Sequence, residues 1–248
     1  MRVYLLLAED PYYTESFVEN ILLKSNCQIV GAGFPSGFIN FKRILKTFFI
    51  YGIIKFIKVS FYVLYHDLKG GKVKNLLRRK NIPVKLIKNV NSNSFRQYLT
   101  ELDIDLIVSN NCPQLLKKDL LDIPKKGSIN LHLGKLPYYR GVYPIFHAIV
   151  NNESHFGVTV HFMNVKFDDG PIINQKIIPI EKWDSLFDLY PKAFKLGSTL
   201  ILSAINQIKS GDISTVKNGE NGKSYFSYPN FSDIIKYRLR NLRSFFTF

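Results

Sequence analysis

Residues 105–134 read DLIVSNNCPQLLKKDLLDIPKKGSINLHLG. Two apolar runs, Asp105–Val108 and Ser128–Leu133, flank Pro113–Leu121, which reads as a short helical segment. DLIVS shows no polar alternation, as expected of a strand buried on both faces of a parallel sheet. Each run ends in polar residues: Ser109-Asn110-Asn111 after the first, and His132 before Leu133-Gly134 in the second. Ligands of open α/β sheets bind beyond the carboxyl ends of the strands. The two polar ends therefore belong to one rim. Asn130 and His132 lie two positions apart on a strand, so their side chains point the same way.

The same alternation extends outward. Val3–Leu7 reads as a strand, Glu15–Leu23 as a helix and Gln28–Gly31 as a strand. Ile39 to Lys80 is long, basic, aromatic and helical in pattern, with Gly70-Gly71 as a break. A strand, Val84–Ile87, follows Pro83, and Ser94 is expected to cap a helix running to Leu102. After Pro144 a helix over Ile145–Val150 leads into two β-branched runs, Gly157–Met163 and Ile172–Ile180. Between them lies a turn with Asp168, Asp169 and Gly170, which predicts a hairpin extending the sheet. Ser185–Lys209 is a long amphipathic helix. The order predicts an α/β, Rossmann-like fold, a mostly parallel sheet with a C-terminal hairpin and long helix. We expect one domain over 1–210 and a short basic, aromatic extension over 211–248, with no full second domain.

The chain has 248 residues, 34 Lys and Arg against 19 Asp and Glu, and a formal net charge of +15. That balance favours phosphate-bearing partners such as nucleotides, nucleic acid or anionic lipid, and equally fits a lysine-rich genome. The 2 cysteines, Cys27 and Cys112, form no disulfide framework and no metal-ligand spacing, which fits a reducing cytoplasm and no metal. The N-terminus is a first strand rather than a signal peptide. Phe48–His66 is the most membrane-like stretch, but Lys55 and Lys58 interrupt it. It is easier to build as a helix against the core, or against a membrane surface. Basic aromatic stripes such as 39–80 and 231–248 are more often a packed helix face with its lysines in water. AEDPYYTES after the first strand lacks the glycines of a dinucleotide site, and there is no P-loop.

Asn, His and Asp can converge if the FDDGPI turn folds over the rim. Asn can stabilise an oxyanion, His can move protons or bear charge, and Asp can orient the His. No Ser or Cys nucleophile stands beside them. The set suits attack by a substrate's own nucleophile on a bound carbonyl. His147, His155 and His161 are read as structural.

The run from Gly127 to Gln175, GSINLHLGKLPYYRGVYPIFHAIVNNESHFGVTVHFMNVKFDDGPIINQ, resembles the folate-dependent formyltransferases. It carries, in order, an Asn-x-His strand end, a Leu-Pro-x-Tyr-x-Gly loop, a Gly-Val-Thr strand and an Asp-x-Gly turn. The resemblance implies that Asn130, His132 and Asp168 are catalytic and that 10-formyltetrahydrofolate is the donor. Asn130 and protonated His132 would stabilise the oxyanion. Asp168 would hold His132 charged and help remove the amine proton. The folate is expected at Ser109, Asn110, Asn111, Cys112 and Leu115 and beside Asp168 and Asp169. Lys135, Tyr139 and Arg140 are candidate acceptor contacts. Gly134 departs from the family, where Ser is frequent.

Three acceptors compete. Methionyl-tRNA fits the charge, but those relatives carry a further C-terminal barrel, for which the residues after Ile180 leave little room. Glycinamide ribonucleotide fits the length, but its enzymes use a Gly-rich loop after the first strand. A nucleotide-linked amino sugar is the preferred expectation, in a cytoplasmic protein with no nucleic-acid partner. A peripheral membrane contact and a homodimer are left open. The non-enzyme alternative is a degenerate module binding nucleic acid or membrane.

Overall fold

The computed structural model describes residues 1–8, 10, 12–37, 41–219 and 224–240. Its elements run β1 (Arg2–Leu7), α1 (Thr14–Lys24), β2 (Gln28–Pro35), α2 (Phe41–Tyr51), α3 (Ile53–Leu68), α4 (Lys72–Arg79), β3 (Val84–Ile87), α5 (Asn93–Glu101) and β4 (Leu106–Asn110). There follow α6 (Lys118–Leu121), β5 (Ser128–His132), β6 (Arg140–Gly141), α7 (Pro144–Val150), β7 (His155–Phe162), β8 (Ile172–Pro179), α8 (Leu186–Ser210), β9 (Tyr225–Phe226) and α9 (Phe231–Arg240).

Seven strands form one sheet in the order β3-β2-β1-β4-β5-β7-β8. The first five are parallel; β7 and β8 add to the edge as an antiparallel hairpin. The mixed, mostly parallel α/β fold, with the hairpin and the long helix after it, is therefore the predicted one. β1 shows why the central strands read as unbroken apolar runs. Val3, Leu5 and Leu7 pack into one layer and Tyr4 and Leu6 into the other, so both faces of the strand are buried. Chain order reverses across β1 and β4, where Leu7 lies beside Asn110, and β4 in turn pairs Ser109 with Asn130 of β5. The carboxyl ends of three strands thus meet at one rim.

Several elements differ from the sequence reading. Ser92, not Ser94, caps α5: its extended backbone lets its Oγ accept from the Phe95 N–H at 3.4 Å, whereas Ser94 already lies inside the helix. Helix at 113–121 is confined to Lys118–Leu121. The basic run breaks not only at Gly70-Gly71 but also at Gly52, whose φ of 74° ends one helix and starts another. Its expected first residue, Ile39, lies outside the described residues, as do 241–248 of the tail. Ile234 and Tyr237 of α9 are buried against the core, and β9 pairs with β6.

α8 is held by a capping box, in which Asp188 accepts from the Ser185 N–H at 2.8 Å, and ends at Gly211 with φ 80°. It crosses β5 at Gly197, where an added Cβ would sit 2.7 Å from Leu131 Cδ2. Gly197→Val is therefore expected to destabilise the protein by about 1–3 kcal/mol through overpacking. A fall in the urea midpoint measures it, and an unchanged midpoint would show that the crossing has slack.

Candidate functional site

The strand end carrying SINLH and the hairpin turn carrying FDDG meet through the pairing of β5 with β7, which sets Asn130 opposite His161 and His132 opposite Thr159. Asp168 enters from the turn with φ 50°. A Cβ on Gly170 would collide with the Phe162 carbonyl, so glycine is required there for the turn to close onto β7. Asp168 Oδ1 then lies 3.5 Å from His132 Nδ1 and 3.5 Å from His161 Nε2. Its Oδ2 accepts the Gly141 N–H at 2.8 Å, and the Asn218 amide donates to its carbonyl at 3.0 Å.

A carbonyl can only accept, so two backbone contacts fix the imidazole protons. His132 Nε2 donates to the Tyr139 carbonyl at 2.8 Å, which leaves Nδ1 facing Asp168. His161 Nδ1 donates to the Phe162 carbonyl at 2.7 Å. Its Nε2 is 3.4 Å from the Asn130 amide nitrogen, and accepts from it when the ring is neutral. His161, expected to be structural, thus joins the Asn130–Asp168 group. The signal was the strand register opposite Asn130, which the sequence does not print.

Burial alone would raise the Asp168 pKa. The His132 ring, the His161 ring and the Gly141 N–H outweigh burial and hold the carboxyl well below the usual range. Burial lowers the His132 pKa, and Asp168 opposes this without reversing it. With Nε2 donating to the Tyr139 carbonyl, Nδ1 pairs with the Asp168 carboxylate only when it too carries a proton, a charge that burial opposes and Asp168 favours.

Two cavities meet at His132. The smaller, about 180 Å³, is lined by Ser109, Asn111, Cys112, Leu115, Asn130 and Asp168 as well as His132. The Ser109 hydroxyl is buried at its edge with no hydrogen-bond partner among the described residues, and burial pushes the Cys112 thiol up to about 11. The larger, about 900 Å³, carries Tyr51, Tyr143, Tyr190 and Tyr228 with Arg43 and Lys46 on one wall. Burial raises the phenols of Tyr51, Tyr143 and Tyr190, so they remain O–H donors.

Five expected contacts do not reach either cavity. Asn110 is fully buried behind the rim, and its amide has no partner among the described residues. Arg140 pairs with Asp169 at 3.0 Å and donates to the Phe167 carbonyl, so these two residues clamp the turn. Tyr139 gives its hydroxyl proton to Glu153 at 2.6 Å. Lys135 packs its backbone over Gly157. The tail residue Tyr225, which the sequence did not single out, lines both cavities.

Gly134 has a physical reason. A Cβ there would sit 2.5 Å from His132 Nε2 and 2.7 Å from the Tyr139 carbonyl. Gly134→Ser is expected to push that carbonyl off His132 and shift its tautomer, seen in imidazole ¹⁵N chemical shifts; unchanged shifts would contradict the contact. The His132 pKa lies lower folded than unfolded, so the unfolded chain binds more protons in the window below about 6.5. Stability is expected to fall as pH drops through that window, with a second loss below about 4 as Asp168 is protonated. Melting temperatures across pH in wild type and His132→Asn test this: the variant should lose the first fall and show a smaller second one, since His132 also helps to hold the Asp168 carboxyl low.

Comparison with known proteins gives the family and the fold. The formyl transferase family model matches residues 57–205, well over half of the chain. Methionyl-tRNA formyltransferase of Staphylococcus aureus (strain JH1) is 34% identical over 155 residues, 62% of this chain and 50% of that protein. The chain thus spans about half the length of the curated relatives it matches. The structure of a sugar N-formyltransferase from Shewanella sp FDAARGOS_354 superposes with a TM-score of 0.66 at 20% identity, covering 98% of this chain and 88% of that one. An N-formyltransferase from Helicobacter canadensis, in complex with folinic acid and dTDP-3-aminofucose, gives 0.62 at 21% identity, covering 96% and 79%.

Proposed function

Because the chain belongs to the formyl transferase family, we propose that it moves the formyl group of 10-formyltetrahydrofolate to the amine of a nucleotide-linked amino sugar. The observation that carries this reading is the position of His132 in the wall between two cavities. The smaller, with the Ser109 hydroxyl, unpartnered among the described residues, and the Asn130 amide at its edge, suits the flat polar rings of a folate. The larger has the volume, cations and aromatic faces for a nucleoside diphosphate and a sugar. Arg43 and Lys46 each lie 5.7 Å from the Tyr228 ring, a cationic and aromatic corner suited to phosphate beside a base. The Shewanella and Helicobacter neighbours, named as sugar and aminofucose-bound N-formyltransferases, support the same acceptor class.

In this reading the acceptor amine attacks the formyl carbon directly. Asn130 donates its amide N–H to the oxygen that becomes negative, and the His132 Nε2–H turns to it from the Tyr139 carbonyl. Ionised Asp168 takes the amine proton through water and returns it to the departing folate nitrogen. The C–N bond to the sugar forms as the bond to the folate breaks. A neutral His132 is suited to share that proton at Nδ1, and pairing with Asp168 then stabilises the imidazolium.

The test is mass spectrometry of amine acceptors incubated with the protein and 10-formyltetrahydrofolate. The panel holds nucleotide-linked 3-amino and 4-amino deoxysugars, glycinamide ribonucleotide and methionyl-tRNA. One formyl group gained by an amino sugar is the expected result; gain by methionyl-tRNA alone would replace this acceptor with the other. His132→Ala and Asp168→Asn are each expected to lower kcat by about 10²–10⁴-fold with the fold intact. Unchanged turnover in either would remove that residue from the mechanism.

A further inference from the structure

α2 and α3 form a helical pair that the catalytic reading uses on one side only. Val59 and Val63 of α3, with Arg43 and Lys46 of α2, line the large cavity. The other side of α3 carries Ile53, Ile57, Phe61, Leu64 and Leu68, spaced three to four residues apart in one stripe. These side chains are 61%, 59%, 71%, 57% and 80% exposed, and no residue of α3 is fully buried. Phe41 and Phe49 of α2 are also exposed, at 76% and 42%. The apolar stripe of α3 is thus exposed rather than packed, because the core-facing side of α3 borders a cavity. A contiguous apolar surface of this kind on a monomer marks an interaction site.

We propose that this face docks the protein on an anionic phospholipid bilayer. The charge pattern selects that occupant. Between Phe41 and His66 there are five cations and no Asp or Glu; Arg43 and Lys46 line the cavity and Lys55 reaches Phe187, while Lys42 and Lys58 are exposed on the helical pair. Lys58 borders the stripe, where its stem lies along apolar surface and its ammonium reaches lipid phosphate. A second copy of the chain would set like-charged helices against each other across a two-fold interface. Spanning is excluded for this pair: among the described residues no helix is long and apolar enough to cross a membrane. An amphipathic pair with basic residues and large apolar side chains lies instead in the interface plane. Docking puts one wall of the acceptor cavity at the lipid surface. This inference stands on the exposed face and holds whichever acceptor the reaction uses.

Vesicle flotation tests it with the full chain. Wild type is expected to float with phosphatidylcholine–phosphatidylglycerol vesicles at least about tenfold more than with phosphatidylcholine alone, and salt should weaken binding. The double variant Ile57→Glu, Phe61→Glu is expected to lose binding by about tenfold or more at an unchanged melting temperature, since both positions are exposed. Wild type that does not float with mixed vesicles overturns the proposal, as does a double variant that floats equally well. Sedimentation velocity showing a dimer that the double variant dissolves, without lipid binding, would assign the face to a second copy instead.

Discussion

The carboxylate of Asp168 stands 3.5 Å from His132 and 3.5 Å from His161, and neither strand of the sheet by itself keeps it there. A nearly buried negative charge is costly unless it is paired and hydrogen-bonded. Here the compensation comes from three separate parts of the chain. The Gly141 N–H of the loop after β5 donates to it, the two imidazoles come from β5 and β7, and Asn218 of the tail holds its backbone. The turn itself is clamped from outside by Arg140 on Asp169 and the Phe167 carbonyl. Removing any support leaves a charge uncompensated, so the site and the local fold depend on one another.

The loop between β5 and α7 is shaped by the same constraint. Tyr139, Gly141 and Tyr143 all have positive φ, at 57°, 95° and 56°. For the two tyrosines this conformation is strained and persists because the surroundings hold it. Tyr139 is anchored through its backbone N–H to Ser224 at 2.8 Å and through its hydroxyl to Glu153, while its carbonyl takes the His132 proton. Gly141 sits in the two-residue ladder with Tyr225 and Phe226. The tail after α8 therefore acts as the outer brace of the rim, and a residue of it, Tyr225, faces both cavities.

The helical pair α2–α3 works under a different rule. Its inner side meets polar and aromatic cavity walls, so it gains little core burial, and only Ile50 of α2 is fully buried. Lys55 lies 5.0 Å from the Phe187 ring, a contact tying α3 to the long helix. Its apolar stripe is accordingly left for an environment other than the protein's own core.

What the sequence determined by itself was the order and type of elements in the sheet, because buried parallel strands need unbroken apolar runs and DLIVS and VYLLL supply them. It also determined which strand ends share a rim, and that Asn130 and His132 face one way, because strand side chains alternate with a period of two. These are local consequences of composition and spacing. Tertiary structure decided whatever depends on register and on which side of an element meets solvent. It set His161 opposite Asn130 and paired Arg140 with Asp169 and the Phe167 carbonyl. It moved the helix cap to Ser92 and split the basic run at Gly52. It also turned the stripe of α3 outward, since a helix pattern states that one face is apolar and not what that face meets. The protonation of His132 belongs to the same class, because burial and the neighbouring carboxylate act through space between residues that lie 36 positions apart in the chain.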